Sequence, residues 1–428
     1  MKLKKFKWFY LIICIVINIF LLDPVPVLPA AEQTGPPASN TLYTLEDLIL
    51  LTQQNNLPVK IAELDRRIAV EEYRNTRALP NPEFEYSRGQ GNVPGEPGKP
   101  KIWDASLKWS LPNPIHRFFF LEAARTHTTE AEIQAEINRR EIVKDLATHF
   151  YKLRLDNQLK TFLEEKRRIL EQASNITKAK ADIGEVKEID YLRASVAVQT
   201  NNTDLFRVEK DIAYERSRLR EFVNFSIPRD FNIAGDFDFT PLSPAMNLDG
   251  QNLTPSLETS PIIRLETNRL QGENAGLKAT RFSIIESIDL FGEKGKEIDG
   301  NIWRVGFGVS IPLFNQNSAL LRQAKLQKEK AETELQYTKH RLSADIQQIY
   351  AQIRVLEKEI ETFTNAVLKE GRENMELSEK LYQEGEVSLL VFLDSQDSFF
   401  EMQARYYEAI TEWNILKAEL NALLGDNQ

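Results

Sequence analysis

Two segments of the sequence repeat one pattern and decide the fold: Trp103-Asp-Ala-Ser-Leu-Lys-Trp-Ser-Leu-Pro112 and Trp303-Arg-Val-Gly-Phe-Gly-Val-Ser-Ile-Pro312. In each, apolar side chains alternate with polar or very small ones, which is the period of a β-strand with one apolar face. Each segment has the roughly 9–11 residues that a tilted strand needs to cross a bilayer. The pattern predicts transmembrane strands, and a half-buried sheet in a water-soluble protein is the alternative.

The two segments belong to a duplication that covers most of the chain. They lie 200 residues apart, and the motif Gly184-Glu-Val186 returns 201 residues later as Gly385-Glu-Val387. The order of these matches predicts two copies of one unit, a first repeat at 31–225 and a second at 257–425. The proline-rich stretch 226–256 is the predicted connector.

Each repeat is predicted to hold a helix, a pair of strands and a long helical hairpin. The predicted strand pairs are 82–88 with 101–111 and 281–290 with 301–311. Four strands cannot close a barrel, and open edges in hydrocarbon leave backbone groups unpaired. Several chains must then share one barrel, two giving 8 strands and three giving 12.

Long stretches free of proline predict the helical hairpins. The first runs over 115–183, and the second, over 315–384, carries apolar residues at alternating spacings of four and three, the pattern of a coiled-coil seam. Each Gly-Glu-Val motif ends one long helix, and a second helix returns after it. The predicted fold class is therefore an α+β membrane protein with an internal two-fold sequence repeat.

Composition excludes several protein classes. The 428 residues carry a net charge of −9, which does not suit a basic nucleic-acid binder. The mean hydropathy of −0.39 argues against a polytopic helical membrane protein. Residues 1–30 have the basic start, apolar middle and small-residue exit of a secretory signal peptide, with a retained anchor as the alternative. The single cysteine, Cys14, lacks a lipoprotein context, so no lipid anchor is predicted.

No pattern in the sequence predicts catalysis. There is no nucleophile elbow, no glycine-rich phosphate loop and no His/Glu metal motif. The four histidines form no ligand-spaced pair. We therefore expect no enzyme activity, no cofactor and no metal site.

Three segments resemble the TolC family of outer-membrane efflux channels: Ala78-Leu-Pro-Asn-Pro-Glu-Phe84, Ser310-Ile-Pro-Leu-Phe-Asn315 and Tyr382-Gln-Glu-Gly-Glu-Val-Ser-Leu-Leu-Val-Phe-Leu-Asp-Ser-Gln396. The resemblance covers about 42–425 when the duplication is included. It implies a homotrimer whose 12-stranded outer-membrane barrel is continued by a periplasmic α-helical coiled-coil barrel. It also implies a periplasmic adaptor protein and an inner-membrane pump, with the RND type expected.

The resemblance implies residues near the helical tips that narrow the lumen. Asp394 matches an acidic position of the family, and Tyr382 lies in the same motif. A second acid that some members carry falls at Val391, which departs from that pattern. Asp190 occupies the equivalent position of the first repeat and is the predicted substitute. Charge at a helix N-terminus is the alternative role for both aspartates.

Two further sets of residues complete the predicted sites. The adaptor-docking tips are Gly184, Glu185, Val186, Gly385, Glu386 and Val387, with a plain tight turn as the alternative. The lipid-facing barrel residues are Trp103, Leu107, Trp109, Trp303, Val305, Phe307 and Val309.

The expected function is a passive exit duct of a tripartite efflux system, located in the outer membrane with its helices in the periplasm. The Leu-Pro-Asn-Pro-Glu stretch at 79–83 resembles the cobalt-zinc-cadmium branch of the family, so metal cations or small toxic compounds are the expected substrates. The alternatives are type I protein secretion and, in a different class, a soluble periplasmic coiled-coil scaffold.

Overall fold

A computed structural model describes residues 42–91, 100–237, 239–242, 257–285, 287–314 and 316–424. The predicted signal peptide, 1–30, and the parts 238 and 243–256 of the predicted connector lie outside the described residues. Among the helices that are described, none combines the length and apolarity of a membrane span.

Eight α-helices and six strands make up the described fold. The helices are α1 (Leu45–Asn55), α2 (Leu57–Arg77), α3 (Pro114–Asp182), α4 (Glu188–Phe222), α5 (Pro261–Phe282), α6 (Ser318–Thr362), α7 (Leu368–Glu384) and α8 (Leu389–Leu424). The strands are β1 (Leu42–Tyr43), β2 (Glu83–Gln90), β3 (Lys101–Pro112), β4 (Asn232–Ile233), β5 (Ser287–Lys296) and β6 (Asn301–Val309).

The first helices begin where the sequence supplies caps. Thr44 and Asp47 form a capping box at the start of α1. Asn56 then caps α2 and donates a side-chain hydrogen bond to the carbonyl oxygen of Phe222. Pro58 lies in the first turn of α2, where its missing N–H leaves no hydrogen bond unmade.

The long helix of the first repeat is continuous. Helix α3 spans 69 residues, or roughly 100 Å at 1.5 Å per residue. Its N-cap is Asn113, which accepts hydrogen bonds from the backbone of Ile115 and His116. The proline-free stretch 115–183 is therefore one helix over nearly its whole length.

The long helix of the second repeat is interrupted by a π-helical turn at Phe363–Val367. Before the turn the buried positions of α6 follow the predicted seam, ending at Leu356 and Ile360. After it the buried positions of α7 include Gly371 and Met375. A π-helical turn inserts one residue into the α-helical period. The seam therefore continues on α7 in a shifted phase.

The strands form one four-stranded antiparallel sheet in the order β2-β3-β5-β6, and β1 pairs with β4 in a separate parallel pair. The helices have a corresponding order. Helices α2 and α4 pack on α3, α3 packs on α5 and α8, and both α5 and α8 pack on α6. Strand order and helix order agree because α2, α3, α5 and α6 each adjoin a strand of the sheet.

One predicted strand begins in the wrong place. The sequence pattern places a strand at 281–290, but Arg281 and Phe282 are the last residues of α5, and β5 begins at Ser287. The Phe282 ring stacks on the ring of Phe119 at 5.6 Å, so it belongs to the packed face of α5. The predicted alternation joined the end of a helical face to the start of a strand. The other strand predictions differ from the structure by at most two residues.

Candidate functional site

The seven predicted lipid-facing residues all lie on one face of the sheet. Register places Leu107 opposite Phe84 on one side and Gly292 on the other, and Gly292 is opposite Val305. Directly paired residues of an antiparallel sheet point to the same face. The apolar members of this face are Phe84, Tyr86, Trp103, Leu107, Trp109, Leu111, Ile288, Leu290, Trp303, Val305, Phe307 and Val309, and at its hairpin end the face also carries Arg88, Lys294 and Lys296.

Much of this apolar face is uncovered. Trp303, Val305 and Phe307 are 74%, 72% and 74% exposed. Contiguous apolar surface of this kind marks a site that contacts lipid or another apolar partner. The contact of these residues with lipid stays a prediction.

The opposite face of the same sheet is polar and joined by ion pairs. Lys108 pairs with Asp289 on the neighbouring strand at 3.2 Å. Arg304 pairs with Glu293 at 3.4 Å and with Glu297 at 2.9 Å. A sheet with one apolar and one charged face fits a boundary between hydrocarbon and water.

Both edges of the sheet lack a partner strand among the described residues. Strand β2 pairs only with β3, and β6 pairs only with β5. Each edge therefore presents a row of backbone N–H and C=O groups, which is a template for another strand.

The two predicted tips are helix ends closed by left-handed glycines. Gly184 has φ 78° and Gly385 has φ 82°, a conformation that glycine adopts without steric cost. The N–H of Glu185 donates to the carbonyl of Lys180, and the N–H of Glu386 donates to that of Leu381. This is the six-to-one hydrogen bond of a Schellman motif. The repeated motif therefore has a local structural role in both copies, as the alternative of a plain tight turn predicts.

The tip residues differ in exposure. Gly184, Glu185, Gly385 and Glu386 are exposed, while Val186 and Val387 are half-buried. Val387 packs against a buried apolar cluster that contains Phe162, Ala194 and Phe392, among others. The acidic residues of both motifs are therefore accessible, and Val387 is anchored in the apolar cluster.

Tyr382 is not at the surface that the prediction assigns to it. Its side chain is 6% exposed, and its ring stacks on Phe392 with the centroids 5.2 Å apart. Its hydroxyl shares a hydrogen bond with Thr177 of α3, and the ammonium of Lys180 lies 5.6 Å from its ring centroid. In this structure Tyr382 joins the two helical hairpins, and this burial corrects its assignment to the lumen wall.

The two aspartates lie just beyond the tips. Asp190 is in the first turn of α4 and pairs with Arg193 at 3.6 Å. Asp394 is exposed, in the second turn of α8. The position of Asp190 fits the helix N-terminal alternative, in which its charge offsets the helix dipole. Asp394 has no such local role, so its lumen assignment stays a prediction.

Sequence reasoning missed one acidic group in the helical part. Burial, together with the neighbouring charges of Glu215 and Asp211, raises the pKa of Asp156 to about 7. Glu215 is itself buried and lies 2.6 Å from the Nδ1 of His149. The sequence holds no signal for this group, because the residues that surround Asp156 lie 55–59 positions away on α4.

Comparison with known proteins agrees with this architecture. Residues 274–426 match the sequence profile of the family described as outer membrane efflux protein. The probable efflux pump outer membrane protein TtgC of Pseudomonas putida is 24% identical over 410 residues, covering 87% of this chain and 82% of TtgC. The cobalt-zinc-cadmium resistance protein CzcC of Cupriavidus metallidurans is 20% identical over 414 residues, covering 94% and 93%.

A solved structure shares the fold. The open state of the MtrE outer membrane channel of Neisseria gonorrhoeae superimposes with a TM-score of 0.75 at 19% identity, covering 89% of this chain and 88% of MtrE. The predicted combination of long helices and strands is thereby confirmed. Residues 274–426 thus resemble the outer membrane efflux protein family, and the whole described chain has the fold of the MtrE outer membrane channel.

Proposed function

We propose that the chain is the outer-membrane duct of a tripartite efflux system, with its strands in the outer membrane and its helices in the periplasm. The observation that carries this function is the four-stranded sheet with one exposed apolar face, one charged face and two free edges. In a bilayer such edges cost several kcal/mol for each unpaired backbone group. Sister chains remove that cost by pairing β2 of one copy with β6 of the next.

The resemblance to the TolC family supports three copies. Three copies of the four-stranded sheet give a barrel of 12 strands. The apolar face of each sheet then contacts lipid, and the ion pairs of the opposite face line a water-filled lumen. The homotrimer is the copy number we propose.

The duct passes its cargo without chemical change. A polar lumen replaces the lipid barrier, and an inner-membrane pump, which we propose to be of the RND type, supplies the energy through a periplasmic adaptor. The family whose profile residues 274–426 match consists of efflux proteins, and a passive tunnel needs no catalytic residue.

We place the adaptor contact at the two tips, where Gly184, Glu185, Gly385 and Glu386 are exposed. Trp at Gly184 and Gly385 should abolish efflux with unchanged protein level and copy number. Asn at the same positions is the matched control, because Asn tolerates the left-handed conformation. Full efflux in the Trp double variant would refute the docking role.

We place the lumen constriction at Asp394 and, from the first repeat, Asp190. Several carboxylates in a narrow bore raise the local negative potential and attract cations. Asp394→Asn should lower the cation preference of single channels, and Asp190→Asn should lower it less, because Asp190 is paired with Arg193. An unchanged reversal potential in the double variant would remove the selectivity role from both residues.

Two relatives bear on the substrate class, and their names point in different directions. CzcC is named for cobalt, zinc and cadmium resistance, and TtgC for an efflux pump. With the Leu-Pro-Asn-Pro-Glu stretch at 79–83, we propose metal cations as the cargo. Deletion of the gene should sensitise cells to Co²⁺, Zn²⁺ or Cd²⁺ and raise their metal content. Sensitivity to organic toxicants alone would indicate that small toxic compounds are the cargo.

Two other functions predict different results. A type I secretion duct would leave metal and toxicant tolerance unchanged on deletion and would block export of a protein. A soluble periplasmic scaffold would be released by osmotic shock, whereas a barrel is extracted only by detergent.

A further inference from the structure

Four cations lie on the apolar face of the sheet, at the end where the strands are joined in hairpins. Register pairs Arg88 and Lys296 with Trp103, one on either side of it, and Lys101 lies two residues before Trp103 on the same strand. Lys294 lies two residues before Lys296. Residues that are paired across an antiparallel sheet, or two apart on one strand, point to the same face. We call Arg88, Lys101, Lys294 and Lys296 the basic patch.

The basic patch is compact and surrounds one aromatic side chain. Neighbouring strands lie about 4.8 Å apart and residues two apart on a strand about 6.7 Å apart, so all four Cα atoms are within about 10 Å of that of Trp103. The four cations are exposed. Trp303 is paired with Lys294 and lies at the border of the patch.

The charges of the sheet are sorted between its two faces. The five carboxylates of β2, β3, β5 and β6 all lie on the opposite face: Glu83, Glu85, Asp104, Asp289 and Glu293. The other two cations of these strands, Lys108 and Arg304, lie on that face too and pair with its carboxylates. The basic patch makes no ion pair with any residue that the structure describes. It therefore presents four positive charges that the described part of the chain does not neutralise.

The basic patch occupies only one end of the apolar face. At their other ends the strands adjoin α2, α3, α5 and α6. In the described strands, the rows of the face that contain Trp109 and Leu111 carry no charged residue at that end. Long cationic side chains can extend from an apolar surface simply to reach water, but that role applies equally at both ends. A one-sided patch indicates a partner that is present at one interface only.

The surroundings of the patch suit a lipid. In the proposed duct the helices are periplasmic, so the hairpin end of the apolar face meets the headgroups of the outward leaflet. Trp103 and Trp303 are of a residue type that is enriched at the interface between hydrocarbon and water. Leu107 and Val305 continue the face away from the hairpins, at the level of the acyl chains.

The charge of the patch indicates the headgroup. A phosphate monoester carries about −1.5 to −2 charges at pH 7, so four cations balance two such groups. Arg88 adds a planar guanidinium, which can donate two parallel hydrogen bonds to one phosphate. Clusters of Lys and Arg at a membrane surface are typical binding sites for anionic headgroups.

We propose that the basic patch binds the headgroup of a lipid that carries two phosphate groups in the outward leaflet, with the acyl chains of that lipid on the apolar face beside it. This inference rests on the proposed outer-membrane duct. It gives the hairpin end of the sheet one specific lipid partner, beyond general contact with hydrocarbon.

Lipid retention by the purified protein tests the basic patch. The protein in non-ionic detergent is mixed with a diphosphorylated glycolipid, lipid A, and washed on an affinity column, and the bound lipid is quantified by mass spectrometry. Replacement of all four residues of the patch by Gln should lower retention at least tenfold. The control replaces four exposed helix lysines by Gln and should retain as much lipid as the wild type: Lys60, Lys339, Lys358 and Lys369. Equal retention by the patch variant and the wild type would overturn the proposal.

A smaller change tests the patch independently of how well the quadruple variant assembles. Lys294→Gln with Lys296→Gln removes two of the charges and should lower retention at least threefold. Lys294→Arg with Lys296→Arg keeps both charges and should retain the lipid fully. Equal loss in both double variants would show that packing rather than charge holds the lipid, which contradicts the proposal.

Three further ligands test what the patch recognises. Lipid A without its phosphates and phosphatidylcholine should each be retained at least tenfold less than the diphosphorylated lipid. Inorganic phosphate in large excess should not displace that lipid, because it makes no contact with the apolar face. Displacement by inorganic phosphate would identify a site for free anions and overturn lipid binding.

The same preparation separates failure of the patch from failure of the duct. Wild-type protein that is multimeric in detergent but retains no diphosphorylated lipid would overturn the basic patch and leave the duct intact. Wild-type protein that stays dissolved without detergent would overturn the proposed function itself.

Discussion

At the residue scale, Tyr382 is one of the side chains that join the two hairpins. Its ring stacks on Phe392 and its hydroxyl bonds Thr177, which also donates to the carbonyl of Ala173. The contact crosses from α7 to α3, between residues 205 positions apart in the sequence. The sequence motif could mark Tyr382 as special but could not supply its partner.

Tyr382→Phe keeps the stacked ring and removes the hydroxyl, so we expect a loss of about 0.5–1.5 kcal/mol in unfolding free energy. Tyr382→Ala also leaves a cavity and should cost about 3–5 kcal/mol. Urea unfolding of the helical signal by circular dichroism measures both. Tyr214→Phe, at a 57% exposed tyrosine, is the control and should change nothing. Equal stability of Tyr382→Ala and wild type would show that the contact does not hold the hairpins.

Asp156 predicts a pH dependence of stability. Its pKa is raised to about 7 by burial and by Glu215 and Asp211, with Lys152 acting in the opposite direction. Because the folded pKa lies above the unfolded value of about 4, the folded state favours the protonated carboxyl. Its contribution to stability is present below about pH 4 and is lost as the pH rises to about 7.

Asp156→Asn should therefore stabilise the protein at pH 8 more than at pH 5. Thermal unfolding at the two pH values measures the difference. Asp204→Asn, at a carboxylate half-exposed beside Arg207, is the control and should not change that difference. An Asp156→Asn effect that is the same at both pH values would contradict the raised pKa.

At the element scale, the π-helical turn at Phe363–Val367 sets the phase of α7. The turn takes up one residue more than the α-helical period, so the buried positions of α7 lie one residue later than the seam of α6 would place them. Deleting Asn365 should therefore turn this segment into α-helix and keep Met375 and Tyr382 in their buried positions. Deleting both Thr364 and Asn365 should rotate α7 by about 100° and expose them. We expect the protease resistance of 368–388 to persist in the single deletion and to be lost in the double deletion. Rapid proteolysis after deletion of Asn365 alone would contradict this role of the turn.

Local patterns predict most elements correctly, and they fail where tertiary contacts determine where an element begins or how it continues. Proline and cap residues fix the starts of α1, α2, α3 and α5, so those boundaries follow from sequence. The π-helical turn has no local signal, because the continuous apolar pattern over 342–367 fits an uninterrupted α-helix equally well. Likewise the false strand start at 281 arises because Phe282 stacks on Phe119, a contact 163 residues away.

At the scale of the whole molecule, the two faces of the sheet predict opposite responses to added charge. Phe307→Arg puts a charge on the apolar face and should cost about 2–4 kcal/mol near the middle of a bilayer. Ser106→Arg puts the same charge on the opposite face and should be tolerated. The amount of protein in the outer-membrane fraction measures both effects. Normal levels of Phe307→Arg would contradict lipid contact at this face.

The duplication and the strand alternation suffice to predict the architecture, because both can be recognised from the pattern of residues along the sequence. Local periodicity does not determine the copy number or the partner surfaces, because these depend on which sheet edges and helix faces stay uncovered after the chain has folded. The sequence predicts that four strands leave open edges, and the structure identifies those edges as β2 and β6.

The mass of the purified protein, measured by light scattering with and without detergent, tests most directly whether sister chains complete a barrel in lipid. The account predicts a particle of three chains that carries bound detergent and precipitates when the detergent is removed. A single chain that stays dissolved and monodisperse in plain buffer would contradict it.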